Sequence, residues 1–306
     1  MLYLADRADV VLEKLQPLDA LVEVHANDLG NDLSLTGMKL LAQSKNLKNV
    51  YLCKCDPKRF PPEAFALLAT LPRLEMLVVD NYAGNMNEAM RHIGKIGKLR
   101  DLVISNTANL NDEGLKHIGA LQLLEELDLT ATGVGDEGMQ HVARLRNLTR
   151  LSLSHIKVGD KGIRHISLLA QLKELNLEDV PIGDEGLRAI AKVRDLRELY
   201  VGGSKVTDRG IEALQALAML EVLGVNNTRI TDKSLPGLAK LPKLKSIFLD
   251  GTSVTDGGIA HLFGKPNIEF VAVRRTPVTA AGAHKLLKSL PHPEATVFHE
   301  SIRQKD

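Results

Sequence analysis

The sequence predicts an α/β solenoid, a stack of short units that each contain a strand and a helix. The stretch from Leu124 to Leu290 follows one 24-residue pattern, with apolar residues at fixed offsets. Units of this length cannot bury their own apolar faces, so they must stack on their neighbours. The chain also has no Trp and only 3% aromatic residues, which fits a core filled by layers of Leu, Ile and Val.

Each repeat contains an L-x-x-L-x-L run, and its second apolar residue marks the unit. These residues are Val50, Leu77, Leu102, Leu127, Leu151, Leu175, Leu199, Leu223, Ile247 and Val271. Their spacings are 27, 25 and 25 residues and then 24 throughout, and a weaker unit begins at Val22, 28 residues before Val50. The sequence therefore predicts about eleven repeats over residues 18–290, within a single domain that spans residues 1–306.

Within one repeat, alternating residues indicate a strand, and a three-residue apolar spacing after them indicates a short helix. Leu127 and Leu129 point into the core while the residues between and beside them point out. Met139 and Val142 then form the buried stripe of a helix. Because a strand is narrower than a helix, the stack is expected to curve, with a concave parallel β-sheet and convex short helices.

An aspartate recurs at the start of each predicted helix, where we interpret it as a cap and not as a catalytic group. It occurs at Asp112, Asp136, Asp160, Asp184, Asp208, Asp232 and Asp256. A side-chain oxygen there can accept an unpaired backbone N–H near the positive end of the helix dipole. A small residue follows two positions later, such as Gly138, Gly186 or Ser234, which predicts a close approach between the helix start and its neighbour.

These motifs resemble the leucine-rich repeat. The strand is followed by a threonine at Thr107, Thr132, Thr228, Thr252 and Thr276. Continuations such as Thr252-Ser-Val-Thr-Asp-Gly-Gly-Ile are similar to the short repeats of bacterial proteins, including the GALA effectors, and to the cysteine-containing repeats of F-box proteins. The resemblance covers nearly the whole chain. It implies a right-handed superhelix and identifies the frame, while the ligand stays open.

Four segments depart from the regular pattern. Residues 1–17 are predicted to form an N-terminal capping helix, since Leu4, Val11, Leu12 and Leu15 lie near one helical stripe. Residues 291–306 are predicted to supply a capping strand near 295–298 and a frayed polar tail. Insertions at 53–62 and 80–86 are expected to project from the regular edge, where they could bind a partner.

Composition and motifs argue against several classes of function. Lys and Arg number 39 and Asp and Glu 38, so binding driven by counterion release, to nucleic acid or an anionic membrane, is not expected. No secretory signal or membrane span is recognised, which predicts a cytoplasmic protein and leaves secretion as an effector open. No nucleophile, phosphate-binding or zinc motif occurs outside the repeat, so no enzymatic activity, catalytic residue, cofactor, metal or small-molecule substrate is expected.

The outward strand positions supply the candidate partner-binding residues on the concave face. They are Glu126, Asp128, Arg150, Glu174, Asn176, Glu178, Glu198, Tyr200, Phe248, Phe270 and Arg274. The centre of this set is acidic, which would steer a basic partner or simply form a solvated face. Aromatic residues and Arg are enriched at binding hot spots, although Phe248 and Phe270 could instead cover the sheet locally.

The sequence therefore predicts a non-enzymatic scaffold that binds an unidentified protein through its concave sheet. One alternative is the substrate-recognition part of a ubiquitin-ligase adaptor or bacterial effector whose other domain is absent. Another is a polyanion binder that uses Arg274, Arg275, Lys285 and Lys288, which a strong salt dependence would reveal.

Overall fold

The computed structural model describes residues 1–4, 8–26 and 33–300. The chain divides into two compact units, the first ending at Ser152 and the second beginning at Leu153. Each unit is an α/β solenoid in which short parallel strands alternate with short helices. The predicted fold class is therefore confirmed. Assignment of the whole chain to one domain remains a prediction.

In the first unit the strands lie side by side in chain order and are all parallel. They are β1 (Leu2–Leu4), β2 (Glu23–Ala26), β3 (Asn49–Cys53), β4 (Met76–Asp80), β5 (Asp101–Ser105), β6 (Glu126–Asp128) and β7 (Arg150–Ser152). The α-helices are α1 (Ala8–Lys14), α2 (Leu35–Leu41), α3 (Phe65–Leu68), α4 (Met86–Ile93), α5 (Asp112–Leu115) and α6 (Met139–Val142). The register joins equivalent residues, so that Leu102 pairs with Leu127 and Leu127 with Leu151.

The second unit has the same organisation. Its strands are β8 (Glu174–Asn176), β9 (Glu198–Tyr200), β10 (Val222–Gly224), β11 (Ser246–Phe248), β12 (Phe270–Ala272) and β13 (Thr296–Phe298). Its α-helices are α7 (Asp160–Ile163), α8 (Asp184–Ile190), α9 (Asp208–Ile211), α10 (Leu235–Leu238), α11 (Asp256–Ile259) and α12 (Ala280–Ser289). The middle residues of β8 to β12 are fully buried, and each such aliphatic side chain stabilises the core by about 1.5–3 kcal/mol.

The recurring aspartates join one repeat to the next instead of capping their own helices. Asp232 accepts hydrogen bonds from the backbone N–H of Thr255, at 2.7 Å, and from its hydroxyl, at 2.6 Å. Asp184 holds Thr207 in the same way. The N-cap of α11 is Thr255 itself, whose hydroxyl accepts from the N–H of Gly257 at 3.1 Å. The predicted cap was therefore wrong by one residue at α5, α7, α8, α9 and α11, because the aspartate is the first residue of each of these helices.

The small residue after each aspartate lies under the carboxylate of the preceding repeat. A Cβ at Gly258 would lie 2.3 Å from Oδ1 of Asp232, and one at Gly282 would lie 2.1 Å from Oδ1 of Asp256. Where Ser234 takes this position, its hydroxyl instead donates to Asp208. The predicted close approach between the helix start and its neighbour is confirmed, and the carboxylate is its cause.

Strand exits are held by threonine hydroxyls. The Thr132 hydroxyl donates to the Leu129 carbonyl at 2.8 Å, and that of Thr228 to the Val225 carbonyl at 2.6 Å. In two consecutive repeats Ile156 and Val180 take this position and are buried. Apolar packing replaces the hydroxyl bond in those two turns.

The N-terminal end differs from its prediction. A helix is present as α1, but β1 precedes it and pairs with β2. Leu12 is buried, whereas Leu15 is 46% exposed. The register also pairs Val24, and not Val22, with Val50. Residues 1–17 therefore contribute a strand as well as a capping helix.

At the C-terminal end, α12 ends at Ser289, before Pro291, and β13 pairs with β12. This strand lies within the range 295–298 for which a capping strand was predicted. The frayed tail predicted for residues 301–306 lies outside the described residues.

The two insertions in the first unit pack an aromatic cluster into the core. Phe60 meets Phe65 edge-on with their ring centroids 5.1 Å apart, and Phe65 meets Tyr82 at 5.4 Å. The Tyr82 hydroxyl donates to the Phe60 carbonyl at 2.9 Å, and burial raises the pKa of this phenol. All three rings are buried, so the expectation that these insertions simply project was wrong for their aromatic residues.

Candidate protein-binding face

The outward side chains of the strands form what we call the open face of each unit. In the second unit, the last residues of β9 to β13 stand in register across this face. They are, in order, Tyr200, Gly224, Phe248, Ala272 and Phe298. Large and small side chains therefore alternate from strand to strand along one line.

Four rings make contact here. Three belong to this line, and the fourth, Phe270, is the first residue of β12 and lies between Phe248 and Phe298. The centroids of Tyr200 and Phe248 lie 6.4 Å apart, those of Phe248 and Phe270 lie 5.0 Å apart, and those of Phe270 and Phe298 lie 5.3 Å apart. The rings are tilted by 40° to 48° and are all half-buried. We call these four residues the aromatic row. Each ring pair contributes about 0.5–1.5 kcal/mol beyond its burial.

Gly224 allows Tyr200 to lie across the sheet. A Cβ at Gly224 would lie 2.8 Å from Cδ1 of Tyr200. The small residue leaves room for the tyrosine ring to lean over β10 and reach Phe248, which stands two strands away. Without that space, the row would be interrupted at β10.

Arg274 marks the Phe298 end of the row. Its Nε and Nη2 donate to Oδ2 of the buried Asp250 at 2.9 and 2.6 Å, and its backbone N–H donates to Oδ1 at 2.6 Å. The guanidinium carbon then lies 5.9 Å from the centroid of Phe298. The ion pair holds this cation in place over the last ring.

Carboxylates surround the Tyr200 end. The Tyr200 hydroxyl donates to Oε2 of Glu198 at 3.1 Å. Burial, together with the nearby charges of Glu198, Glu174 and Glu178, raises the pKa of Tyr200 to about 12. The electrostatic potential at this end of the row is therefore negative.

A shallow depression borders the row where the strands begin, and its charged groups pair with one another. Nζ of Lys245 lies 2.9 Å from Oε2 of Glu221, and Nη1 of Arg197 lies 3.9 Å from Oε1 of Glu221. The hydrogen bond from Lys245 lowers the pKa of Glu221. This border is polar but largely neutralised.

The candidate residues in the first unit bond within the sheet. Arg150 forms an ion pair with Glu126 on the neighbouring strand, and Oδ1 of Asp128 accepts from the N–H of Thr130 at 2.7 Å. Glu126 is therefore less available to attract a basic partner than its charge suggested. In the second unit, Oδ1 of Asn176 accepts from the N–H of Glu178 at 3.0 Å, which gives this amide a role in the turn.

Sequence reasoning missed several residues of the open faces. In the second unit these are Phe298, Gly224 and Asp250. In the first unit Tyr3, His25 and Tyr51 stack with centroid distances of 4.5 and 4.0 Å. Each of the rings occupies the outward position between two apolar strand residues or after one, so extending the repeat register into the end strands would have found them.

No helix in the described ranges is both long and apolar enough to cross a membrane. Among residues 1–4, 8–26 and 33–300, no three His, Cys, Asp or Glu side chains converge as metal ligands.

No curated protein matches the sequence. Comparisons with solved structures agree with this architecture. An internalin, InlF, from Listeria monocytogenes shares the fold with a TM-score of 0.67 and 18% identity, over 97% of this chain and 94% of that one. Internalin C2 from the same bacterium has a TM-score of 0.54 and 25% identity, over 69% of this chain and 83% of that one.

A plant peptide hormone receptor, RGFR1, solved in complex with RGF2, also shares the fold. It has a TM-score of 0.54 and 16% identity, over 88% of this chain and 42% of that one. The sequence itself gives the most direct evidence of ancestry, because residues 46–209 match the family model described as a leucine-rich repeat region. The chain is a member of the leucine-rich repeat family.

Proposed function

We propose that the protein binds a protein partner through the open face of its second unit, with the aromatic row at the centre of the interface. Leucine-rich repeat proteins are typically protein-interaction modules. The observation that carries the proposal is the continuous contact of four half-buried rings on an outward sheet face. Such rings supply a large contact area with few freely rotating bonds, so little conformational entropy is lost on binding.

The size of the face is adequate for this role. The row crosses four strand spacings of about 4.8 Å each, or roughly 19 Å. The polar rim on either side widens the face toward the roughly 800 Å² per partner of a standard interface. Arg274 sits on this rim in a fixed orientation because Asp250 holds it, so it can contact a partner without losing further rotamer freedom.

A polyanion is a weaker candidate for this face. Arg274 is already paired with Asp250, and Nζ of Lys285 lies 5.4 Å from the centroid of the Phe263 ring. The charge of Arg274 is thus largely compensated within the chain. The Tyr200 end of the row is negative, which would repel phosphate groups.

The proposal is tested by affinity capture from the source cell's lysate with two folded variants. One carries Tyr200→Ala, Phe248→Ala and Phe270→Ala. The control carries Leu168→Ala, which removes a 48%-exposed apolar side chain from the helical side. Circular dichroism establishes that each variant is folded.

A protein that the wild type and the control retain and the triple variant loses would support the aromatic row as the binding surface. Equal retention by all three chains would contradict the proposal. In that event the Tyr3, His25 and Tyr51 stack of the first unit becomes the next surface to mutate.

A further inference from the structure

The open face of the second unit has a charge gradient along the aromatic row. Three carboxylates, those of Glu174, Glu178 and Glu198, act on Tyr200 at one end. At the other end Arg274 lies over Phe298, and the exposed Arg275 follows it in the chain. Asp250 compensates Arg274, and the backbone N–H of Arg275 donates to Glu300 at 3.0 Å. The strongest charge preference along the row is therefore for a cation at the Tyr200 end.

The apolar part of the face is at most two strand positions wide. At the first strand position, Glu174, Glu198 and Ser246 on β8, β9 and β11 are polar, whereas Val222 on β10 and Phe270 on β12 are apolar. Asp250 and Arg274 follow the ends of β11 and β12. Polar groups thus border the row on both sides over most of its length. An amphipathic helix presents an apolar stripe at least 100° wide and several side chains across. A single extended segment matches the narrow row better.

The length of the row sets the size of that segment. Four strand spacings give roughly 19 Å, and an extended chain rises about 3.3 Å per residue. About six residues would therefore lie over the four rings. Residues beyond them at the Tyr200 end would reach β8 and its carboxylates.

We propose that the occupant of this face is an extended peptide segment with about six mainly apolar residues, flanked by Lys or Arg on the side that lies over β8 and β9. This inference rests on the proposed function and specifies the partner's chemistry and its direction across the strands. Attraction by the carboxylates at the Tyr200 end favours this placement. Reversing the segment would move its basic residues away from these carboxylates.

Selection from a phage-displayed random-peptide library against the full chain tests this inference. The enriched peptides should contain an apolar run with Lys or Arg on one side only. The best of them, made with a fluorescent label, is then titrated against the wild type and a Glu178→Gln, Glu198→Gln variant. Glutamine keeps an acceptor for the Tyr200 hydroxyl, so the ring stays supported while the charge is removed.

We expect the double variant to bind the labelled peptide roughly three- to tenfold more weakly, as for the loss of two partly exposed ion pairs. A Glu212→Gln control, on the helical side, should leave the affinity unchanged. Higher salt should weaken binding to the wild type more than binding to the double variant.

The outcomes separate this inference from the proposed function. Peptides that require the aromatic row but carry acidic or neutral flanks would overturn the inference alone, as would equal affinity for the wild type and the double variant. If no enriched peptide depends on the aromatic row, both proposals are overturned. Binding of a short duplex DNA that Arg274→Ala abolishes would assign the face to a polyanion and also overturn both.

Discussion

Two neighbouring glycines at the start of α11 are expected to respond to alanine in opposite directions. Gly258 is buried, and a Cβ there would lie 2.3 Å from Oδ1 and 2.9 Å from Cγ of Asp232. Gly257 is exposed, and a Cβ there would make ordinary contacts, at 3.4 Å, with Asp232 and Thr255. Gly258→Ala must therefore push the carboxylate aside, whereas Gly257→Ala disturbs nothing.

The size of each effect follows from the bonds involved. Asp232 accepts from the N–H and the hydroxyl of Thr255 at 2.7 and 2.6 Å. A hydrogen bond to a charged group contributes about 1.5–3 kcal/mol, and alanine is favoured over glycine in a helix by roughly 0.5–1 kcal/mol. Gly258→Ala should thus lower the free energy of unfolding by about 2–5 kcal/mol, and Gly257→Ala should raise it by roughly 0.5–1 kcal/mol.

Urea unfolding followed by circular dichroism measures both variants against the wild type. Because repeat arrays can unfold in parts, amide hydrogen exchange at α11 should accompany it and report the local opening. A Gly258→Ala protein that unfolds at the same urea concentration as the wild type, or an equal loss from both variants, would refute the role assigned to Asp232.

Three further perturbations test other contacts. The Ser234 hydroxyl donates to the Asp208 carboxylate, so Ser234→Ala should cost about 1.5–3 kcal/mol in the same urea assay. Burial raises the pKa of Asp208, but hydrogen bonds from Ser234 and Thr231 outweigh it and leave the pKa lowered. The contribution of ionised Asp208 to the free energy of unfolding is therefore present above the unfolded pKa and lost as pH falls through the folded pKa. Ser234→Ala should make this acid-induced loss of stability smaller. The pKa of Tyr200 is raised from 10.0 to about 12, so stability should fall as pH rises through this interval, and Tyr200→Phe should remove one late-ionising phenol from the ultraviolet titration. Thr228→Val deletes one buried hydroxyl bond and should cost about 1 kcal/mol or less in thermal unfolding, because two other repeats carry apolar residues there.

The repeated features were predictable because each physical constraint recurs along the chain. Apolar residues at fixed offsets predicted the strands, the short helices and the filled core. The small residue at Gly258 and its equivalents predicted a close approach. The partner in that approach could not be read from one repeat, since Asp232 bonds to Thr255 in the next.

The irregular ends show where a short apolar pattern becomes ambiguous. Leu4, Leu12 and Leu15 fit a helical stripe, but Leu2 and Leu4 equally fit the alternation of a strand, and strand pairing with β2 decides the matter. The insertions were misjudged for a related reason. Phe60 lies in a stretch rich in Pro and charge, which indicates a surface loop, and only the tertiary contact with Phe65 shows why its ring is buried.

The aromatic row was less predictable from the sequence than the repeated features and more predictable than the irregular ends. Tyr200, Phe248 and Phe270 could be identified one strand at a time, because the alternation of each strand assigns them to its outward side. Their contact also depends on a missing side chain on the intervening strand, because the ring of Tyr200 reaches Phe248 only across the space left by Gly224. A surface that crosses many strands is therefore specified by residues 24 apart in sequence, and a small residue in that series contributes as much to the surface as a ring. Phe298 follows from the same argument, because Ala272 separates it from Phe248 in register as Gly224 separates Phe248 from Tyr200.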